Sequence, residues 1–275
     1  MEWANGAKAV ACFTFDLDAE ISWRNILRRH GIERDNPVVL SQGEYGPNSA
    51  VPRILKLLEK YDVKSCFFIP GEVAEKYPEV VGEIHDAGHE VGNHGYSHRN
   101  PARCTLEEER EELLMGERIL KGITGETPKG YRAPAADLSA NTHSLLAENG
   151  LTYDSTMMGN DLPYVIKIGS KEIVELPIRW LLDDWVYFGF NYFPPLEYQS
   201  GISNHRKVLE IWSDEFDAIY TEGLYFMLVM HPQLMGVPSR AKMLDDLIGH
   251  MKGKEGVWFA TPFELSSYWK ERARK

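Results

Sequence analysis

Six hard polar side chains, five of them able to bind metal or transfer a proton, stand at the ends of candidate strands. Asp16 and Asp18 follow AVACFTF, His94 and His98 follow HEVGN, Arg132 closes GYR, and His231 closes LYFMLVM. Two imidazoles and one carboxylate suit a divalent cation that keeps an open position for water. His94 and His98 are four residues apart, so they converge on one ion if their segment turns helically. A second carboxylate nearby could accept a proton, and His231 could donate one. Taken singly, these residues have plainer readings. Paired aspartates also solvate strand exits or cap helices, and a His pair at this spacing is often surface.

The elements that must bring them together read as alternating strands and helices. Ala9–Phe15, Ser65–Ile69, Leu224–Met230 and Val257–Ala260 have the continuous apolar character of strands buried on both faces, and HEVGN and GYR read as short strands. Helical spacing predicts helices from Val51, from Pro78 to Gly88, over Leu106–Ile123, Leu138–Asn149, Ile202–Thr221, Ala241–Met251 and Pro262–Lys275. Thr105 and Glu108 match a capping box for the third of these. Alternation implies a parallel sheet with right-handed crossovers, and about seven such units in one chain favour an α/β barrel. At the carboxyl ends of such strands residues distant in sequence become neighbours. Ile21–Asn48 is polar and poorly periodic, and reads as a long connection leaving the same rim. It would serve as a lid or wall, or as a contact in a homo-oligomer. Leu151–Pro195 reads as several short strands, including Val165–Ile168 and Ile173–Leu176, followed by WLLDDWVYF.

The 275 residues are 43% hydrophobic and 26% charged, and no linker or repeat divides them, so a single domain over 1–275 is expected. A net charge of -11 argues against nucleic acid or an anionic membrane surface as partner. Cys12, Cys66 and Cys104 form no C-x-x-C pair, and Cys12 and Cys66 fall inside apolar runs, so no disulfide framework is expected. MEWANGAKAV does not read as a signal peptide and no run of about 18 uncharged residues could span a bilayer, which makes the cytoplasm the expected location. The remaining histidines, His30, His85, His89, His143, His205 and His250, read as structural or solvated.

In order, FTFDLD, GHEVGNHGYSH, GYRAP, LDDW and LVMHP resemble the five motifs of the polysaccharide deacetylases, the NodB-homology family that includes chitin and peptidoglycan deacetylases. The resemblance spans Ala9 to about Gly236. It implies a distorted (β/α) barrel and a divalent metal, usually zinc, hydrolysing an acetamide. By the same resemblance Asp16 would be the general base, Asp18, His94 and His98 the metal ligands, and His231 the general acid. Arg132 would hold Asp16, Asp184 would orient His231 with Asp183 an alternative, Trp185 would line the pocket, and the Ala135 N–H would face the oxyanion.

Three departures bear on the substrate. The usual adjacent aspartates are Asp16-Leu17-Asp18, the aromatic residue usual after the third-motif proline is Ala135, and Ile21–Asn48 is an insertion. These features look like a cytoplasmic subgroup that includes cyclic imide hydrolases. With Trp23 and Tyr45 covering the mouth, a small or terminal amide is expected: a short N-acetylated sugar, or alternatively a cyclic imide. A barrel that binds carbohydrate without turnover would require a replaced ligand or base, and none is replaced.

Overall fold

The computed structural model of the chain describes residues 3–197 and 199–273. Its first strand, β1 (Ala9–Asp16), is buried at every position. Each fully enclosed phenylalanine in it, Phe13 and Phe15, contributes about 2 kcal/mol through apolar burial. Then the structure departs from the expected connection. Helices α1 (Ile21–Arg29) and α2 (Pro37–Tyr45) occupy it, followed by a π-helical turn, Gly46–Ala50, that runs into α3 (Val51–Lys60). Asn36 starts α2 by accepting hydrogen bonds from the N–H groups of Val38 and Val39, with Pro37 in the first turn. Trp23, Ile26, Leu27, Val39 and Leu40 bury one face of the pair. Gly43 of α2 lies so close to the Ala19–Glu20 backbone that a Cβ there would sit 2.3 Å from the Ala19 carbonyl oxygen. The supposed lid is a packed helical pair.

The remaining elements are β2 (Cys66–Ile69), α4 (Gly71–Lys76), α5 (Pro78–Asp86), β3 (Glu90–Asn93), α6 (Leu106–Thr124), β4 (Gly130–Tyr131), α7 (Thr142–Glu148) and β5 (Tyr153–Asp154). A hairpin, β6 (Tyr164–Ile168) and β7 (Lys171–Glu175), is followed by α8 (Asp184–Phe188), α9 (His205–Glu222), β8 (Tyr225–Met230), α10 (Pro232–Met235), α11 (Pro238–Lys252), β9 (Val257–Phe259) and α12 (Pro262–Ala273). Residues 274 and 275, expected to close the last helix, lie outside the described residues. The capping box forms as predicted, with Thr105 and Glu108 bonding reciprocally at the start of α6. WLLDDWVYF, left unassigned by its sequence, forms a 3₁₀ turn leading into α8. The expected helix at Leu138 begins only at Thr142. No helix among the described residues is long and apolar enough to cross a membrane.

The chain groups into two compact units, Met1–Ala11, Phe15–Val63 and Arg179–Trp258 in the first, Cys12–Thr14, Lys64–Ile178 and Phe259–Lys275 in the second. In the first, Asp183 bridges to Val229 of β8 in parallel, and α9 buries Trp212 and Phe216, the latter edge-on to Phe226 of β8. In the second, β2, β3, β4, β5 and β7 pair in parallel in that order, and β6 adds an antiparallel edge to β7. The fold class is α/β with mostly parallel strands.

Glu90 opens β3 in the second unit, where its carboxylate accepts from the Tyr153 hydroxyl at 2.6 Å and from the Phe263 N–H at 3.0 Å. Burial of the carboxyl end pushes it up to about 7, against the pull of those donors. Between the ordinary glutamate range and 7 the folded chain therefore holds a proton that the unfolded chain has released. Stability must fall as pH rises through that window. A Glu90→Gln variant should show a flatter dependence of melting temperature on pH from about 4.5 to 7 than the parent. Parallel curves for the two proteins would refute this.

Candidate active site

In the first unit, Asp16 ends β1 and Asp18 follows it, 5% and 2% exposed. Ser22, in the first turn of α1, donates its hydroxyl to Asp18 Oδ2 at 2.8 Å. Helix α1 thus contributes a group that fixes Asp18. His231 sits where β8 passes into α10. Asp184 holds it twice, through Oδ1 at 2.6 Å from Nδ1 and through Oδ2, which accepts the His231 backbone N–H at 2.8 Å. Asp183 caps α8, one carboxylate oxygen accepting the Trp185 N–H. Of the two aspartates, Asp184 is the partner of His231.

With Nδ1 engaged by Asp184, the His231 ring presents Nε2, 3.8 Å from Asp18 Oδ2. Burial opposes charging of this imidazole, but Asp184, with Asp18 and Asp183, outweighs it and holds the ring up to about 10. Burial pushes Asp183 up to about 7 and raises Asp184 as well, against the attraction of His231.

An aromatic row stands beside this pair. Trp185 meets the His231 ring edge-on at 5.0 Å, and Trp23 lies against Trp185 at 5.4 Å. Trp23 is 1% exposed, yet its Nε1–H has no hydrogen-bond partner among the described residues. Neither does the side-chain amide of Gln233, two residues past His231 and 5% exposed. Nothing in sequence spacing singled out Gln233. Tyr45 is committed within the protein: its hydroxyl bonds the Gly236 carbonyl at 3.3 Å and accepts from Arg53 at 2.9 Å.

In the second unit, His94 and His98 come together with ring centroids 5.0 Å apart. A left-handed loop does this, not the helical turn the spacing suggested: Gly95 and His98 have φ of 72° and 54°. Glu112 of α6 fixes the loop by accepting from the N–H groups of Tyr96 and Ser97 and from the Ser97 hydroxyl. Asn93 Oδ1 accepts the Gly95 N–H. His94 Nδ1 lies 2.7 Å from the Arg132 carbonyl oxygen, so Nδ1 carries the proton and Nε2 keeps its lone pair. An imidazole oriented in this way is typical of a metal ligand.

Arg132 is 1% exposed and all three guanidinium nitrogens donate: Nε to the Ser155 carbonyl, Nη1 to Thr14 Oγ1, and Nη2 to Ser155 Oγ, at 3.0, 2.8 and 2.9 Å. Its plane lies over the Phe68 ring at 4.3 Å. Thr14 is two residues before Asp16, so Arg132 is anchored to the strand that delivers the aspartates. Just beyond it, Ala135 and Ala136 are held at φ of 61° and 49°. For residues with a Cβ that conformation costs on the order of 1 kcal/mol each, strain of the kind concentrated where backbone groups are pre-aimed.

A peptidoglycan deacetylase from Helicobacter pylori is 32% identical to this chain over 97% of the chain and 98% of its own length. The chain belongs to the polysaccharide deacetylase family. Residues 32–153 match that family's model directly. Among solved structures, a Mycobacterium smegmatis protein provisionally named a polysaccharide deacetylase superposes with a TM-score of 0.92 at 34% identity, covering 99% of this chain and 94% of its own. The PuuE allantoinase superposes at 0.85 and 27% identity, covering 98% and 93%. These likenesses show the fold, the distorted (β/α) barrel of the deacetylase family. They also make the chain a member of a family of hydrolases that act on carbon–nitrogen bonds.

Proposed function

We propose that this protein is a metal-dependent hydrolase of a small or terminal amide, such as a short N-acetylated sugar. Asp18, His94 and His98 would hold the cation. The donor set fits one, because His94 Nε2 keeps its lone pair while Nδ1 is bonded to Arg132, and because Ser22 orients Asp18. Two imidazoles and a carboxylate make zinc the first choice. When bound, the cation supplies Lewis-acid polarisation of the amide carbonyl and a more acidic water. Asp16 takes the proton from the attacking water, kept in place by Arg132. The Ala135 N–H faces the developing oxyanion. His231, its Nδ1 occupied by Asp184, gives the proton on Nε2 to the leaving nitrogen.

The observation that carries the small-substrate reading is the two buried polar groups left unsatisfied in the first unit, Trp23 Nε1, at the far end of the Trp23–Trp185–His231 ring row, and the Gln233 amide, two residues past His231. A buried donor without a partner costs about 1–3 kcal/mol. A compact ligand bearing its own carbonyls and N–H groups could satisfy both. A polymer backbone would need an open groove, whereas α1 and α2 are packed helices. The likeness to an allantoinase favours a cyclic imide or related ring amide as the second reading.

The deciding experiment assays zinc-loaded enzyme against short chitin oligomers, peptidoglycan fragments, polymeric chitin and simple imides such as succinimide. Turnover is expected on short N-acetylated sugars, or on the ring amides in the second reading. Efficient deacetylation of long polymer, with both small classes inert, would overturn the proposal.

A further inference from the structure

A second set of metal-ligand side chains lies outside all five motifs, wholly within the second unit. His143 comes from α7, Asp154 from the end of β5 and Glu175 from the end of β7. Strand register places the two carboxylates side by side, since Asp154 and Glu175 are direct partners in the parallel β5–β7 pair. Both residues are 0% exposed.

One oxygen of each carboxylate is fixed by the protein. Asp154 Oδ1 accepts the Thr156 hydroxyl at 2.7 Å, and Glu175 Oε1 accepts the N–H groups of Thr156 and Met157 at 3.1 and 2.9 Å. The other oxygens turn toward one imidazole nitrogen. His143 Nε2 is 3.2 Å from Asp154 Oδ2 and 3.8 Å from Glu175 Oε2. Glu175 Oε2 has no hydrogen-bond partner among the described residues.

We infer that His143, Asp154 and Glu175 form a second divalent-cation site, filled by zinc and structural in role. Ligand bonds of about 2.0–2.1 Å in tetrahedral geometry put ligand atoms about 3.3 Å apart, close to the separations already present. Two adjacent buried carboxylates also need compensation beyond one imidazole, by a proton or by a cation. His143, Asp154 and Glu175 each offer a ligand atom within 4.8 Å of the other two, close enough for one cation to meet all three. The side chain of His143, 21% exposed, offers the route in from solvent.

The site would also steady the third motif. The Thr156 hydroxyl that bonds Asp154 accepts the Ala133 N–H at 3.0 Å, one residue past Arg132 and two before Ala135. A cation there would tie β5 and β7 to the strained Ala135–Ala136 turn. Its ligands would remain separate from Asp18, His94 and His98.

The test is to strip the full chain with chelator, reload it with zinc alone, remove excess and count bound metal by elemental analysis. The parent should hold about two equivalents, and Glu175→Gln and His143→Gln about one fewer each. His98→Ala, which affects only the other donor set, should retain the zinc of this site. In the His98→Ala background zinc should raise the melting temperature, and adding His143→Gln should abolish the rise. His143 is partly exposed, so this arm stands even if Glu175→Gln fails to fold. Unchanged stoichiometry in His143→Gln, or no zinc-dependent stabilisation in His98→Ala, would overturn the inference and leave a proton shared between the carboxylates.

Discussion

Asp16→Asn is expected to slow amide hydrolysis by about a hundredfold or more, the scale on which a positioned general base contributes. The loss should fall on kcat, with KM little changed, because the base acts in the transition state and not in holding the ground state. Asn matches Asp in size, so the end of β1 has no steric reason to move. Metal content should therefore stay at the parent level, whereas Asp18→Asn should lower it. That contrast separates the two aspartates. Asp18 is the one bonded to Ser22 and lying 3.8 Å from His231 Nε2. Asp16 closes a strand whose neighbouring Thr14 is bonded to Arg132. Parent-like turnover in Asp16→Asn would remove Asp16 from the base role, and an equal loss of metal in both variants would make it a ligand instead.

Much of the architecture was legible because fully buried strands leave continuous apolar runs. β1, β2 and β8 fall within a residue of the expected segments, and Asp16 and His231 stand at the ends of β1 and β8. What the sequence hid was set by distant contacts. Trp23, Ile26 and Leu27 have helical spacing, but Arg24, Asn25, Arg28 and Arg29 dilute it, and it is packing against Val39 and Leu40 of the next helix, with Trp185 alongside, that gives the stripe its partner. The His94–His98 spacing was visible, yet the loop that brings the rings together is fixed by Glu112 from α6. Asp183 and Asp184 could not be told apart because adjacent residues at a helix start point in different directions. The start of α8 at Asp184 turns one carboxylate to the cap and the other to His231. The unsatisfied groups of Trp23 and Gln233, and the pairing of Asp154 with Glu175, depend on burial and register that no short motif encodes.

Removal of metal should have a still larger effect than loss of the base. Stripping the enzyme with chelator is expected to lower hydrolysis by about a thousandfold or more, since polarisation of the carbonyl and acidification of water together account for several kcal/mol of barrier. Zinc added back should restore the rate, and the zinc concentration at half-recovery measures the site that matters for catalysis. In His98→Ala that midpoint should rise by at least about a hundredfold, because the cation keeps only His94 and Asp18 as protein ligands. In His143→Gln it should not move, since that residue belongs to the other cluster. The midpoint of recovery, unlike total bound metal, is set by the affinity of the Asp18, His94 and His98 set. His94 sharpens the test. Its Nδ1–H is directed to the Arg132 carbonyl, so Nε2 is the nitrogen left for the cation. His94→Gln removes that nitrogen while leaving a side-chain amide able to donate to the same carbonyl, and should raise the midpoint as His98→Ala does. A midpoint unchanged in both variants, with full activity after chelation, would mean that the hydrolysis proceeds without a metal at these residues.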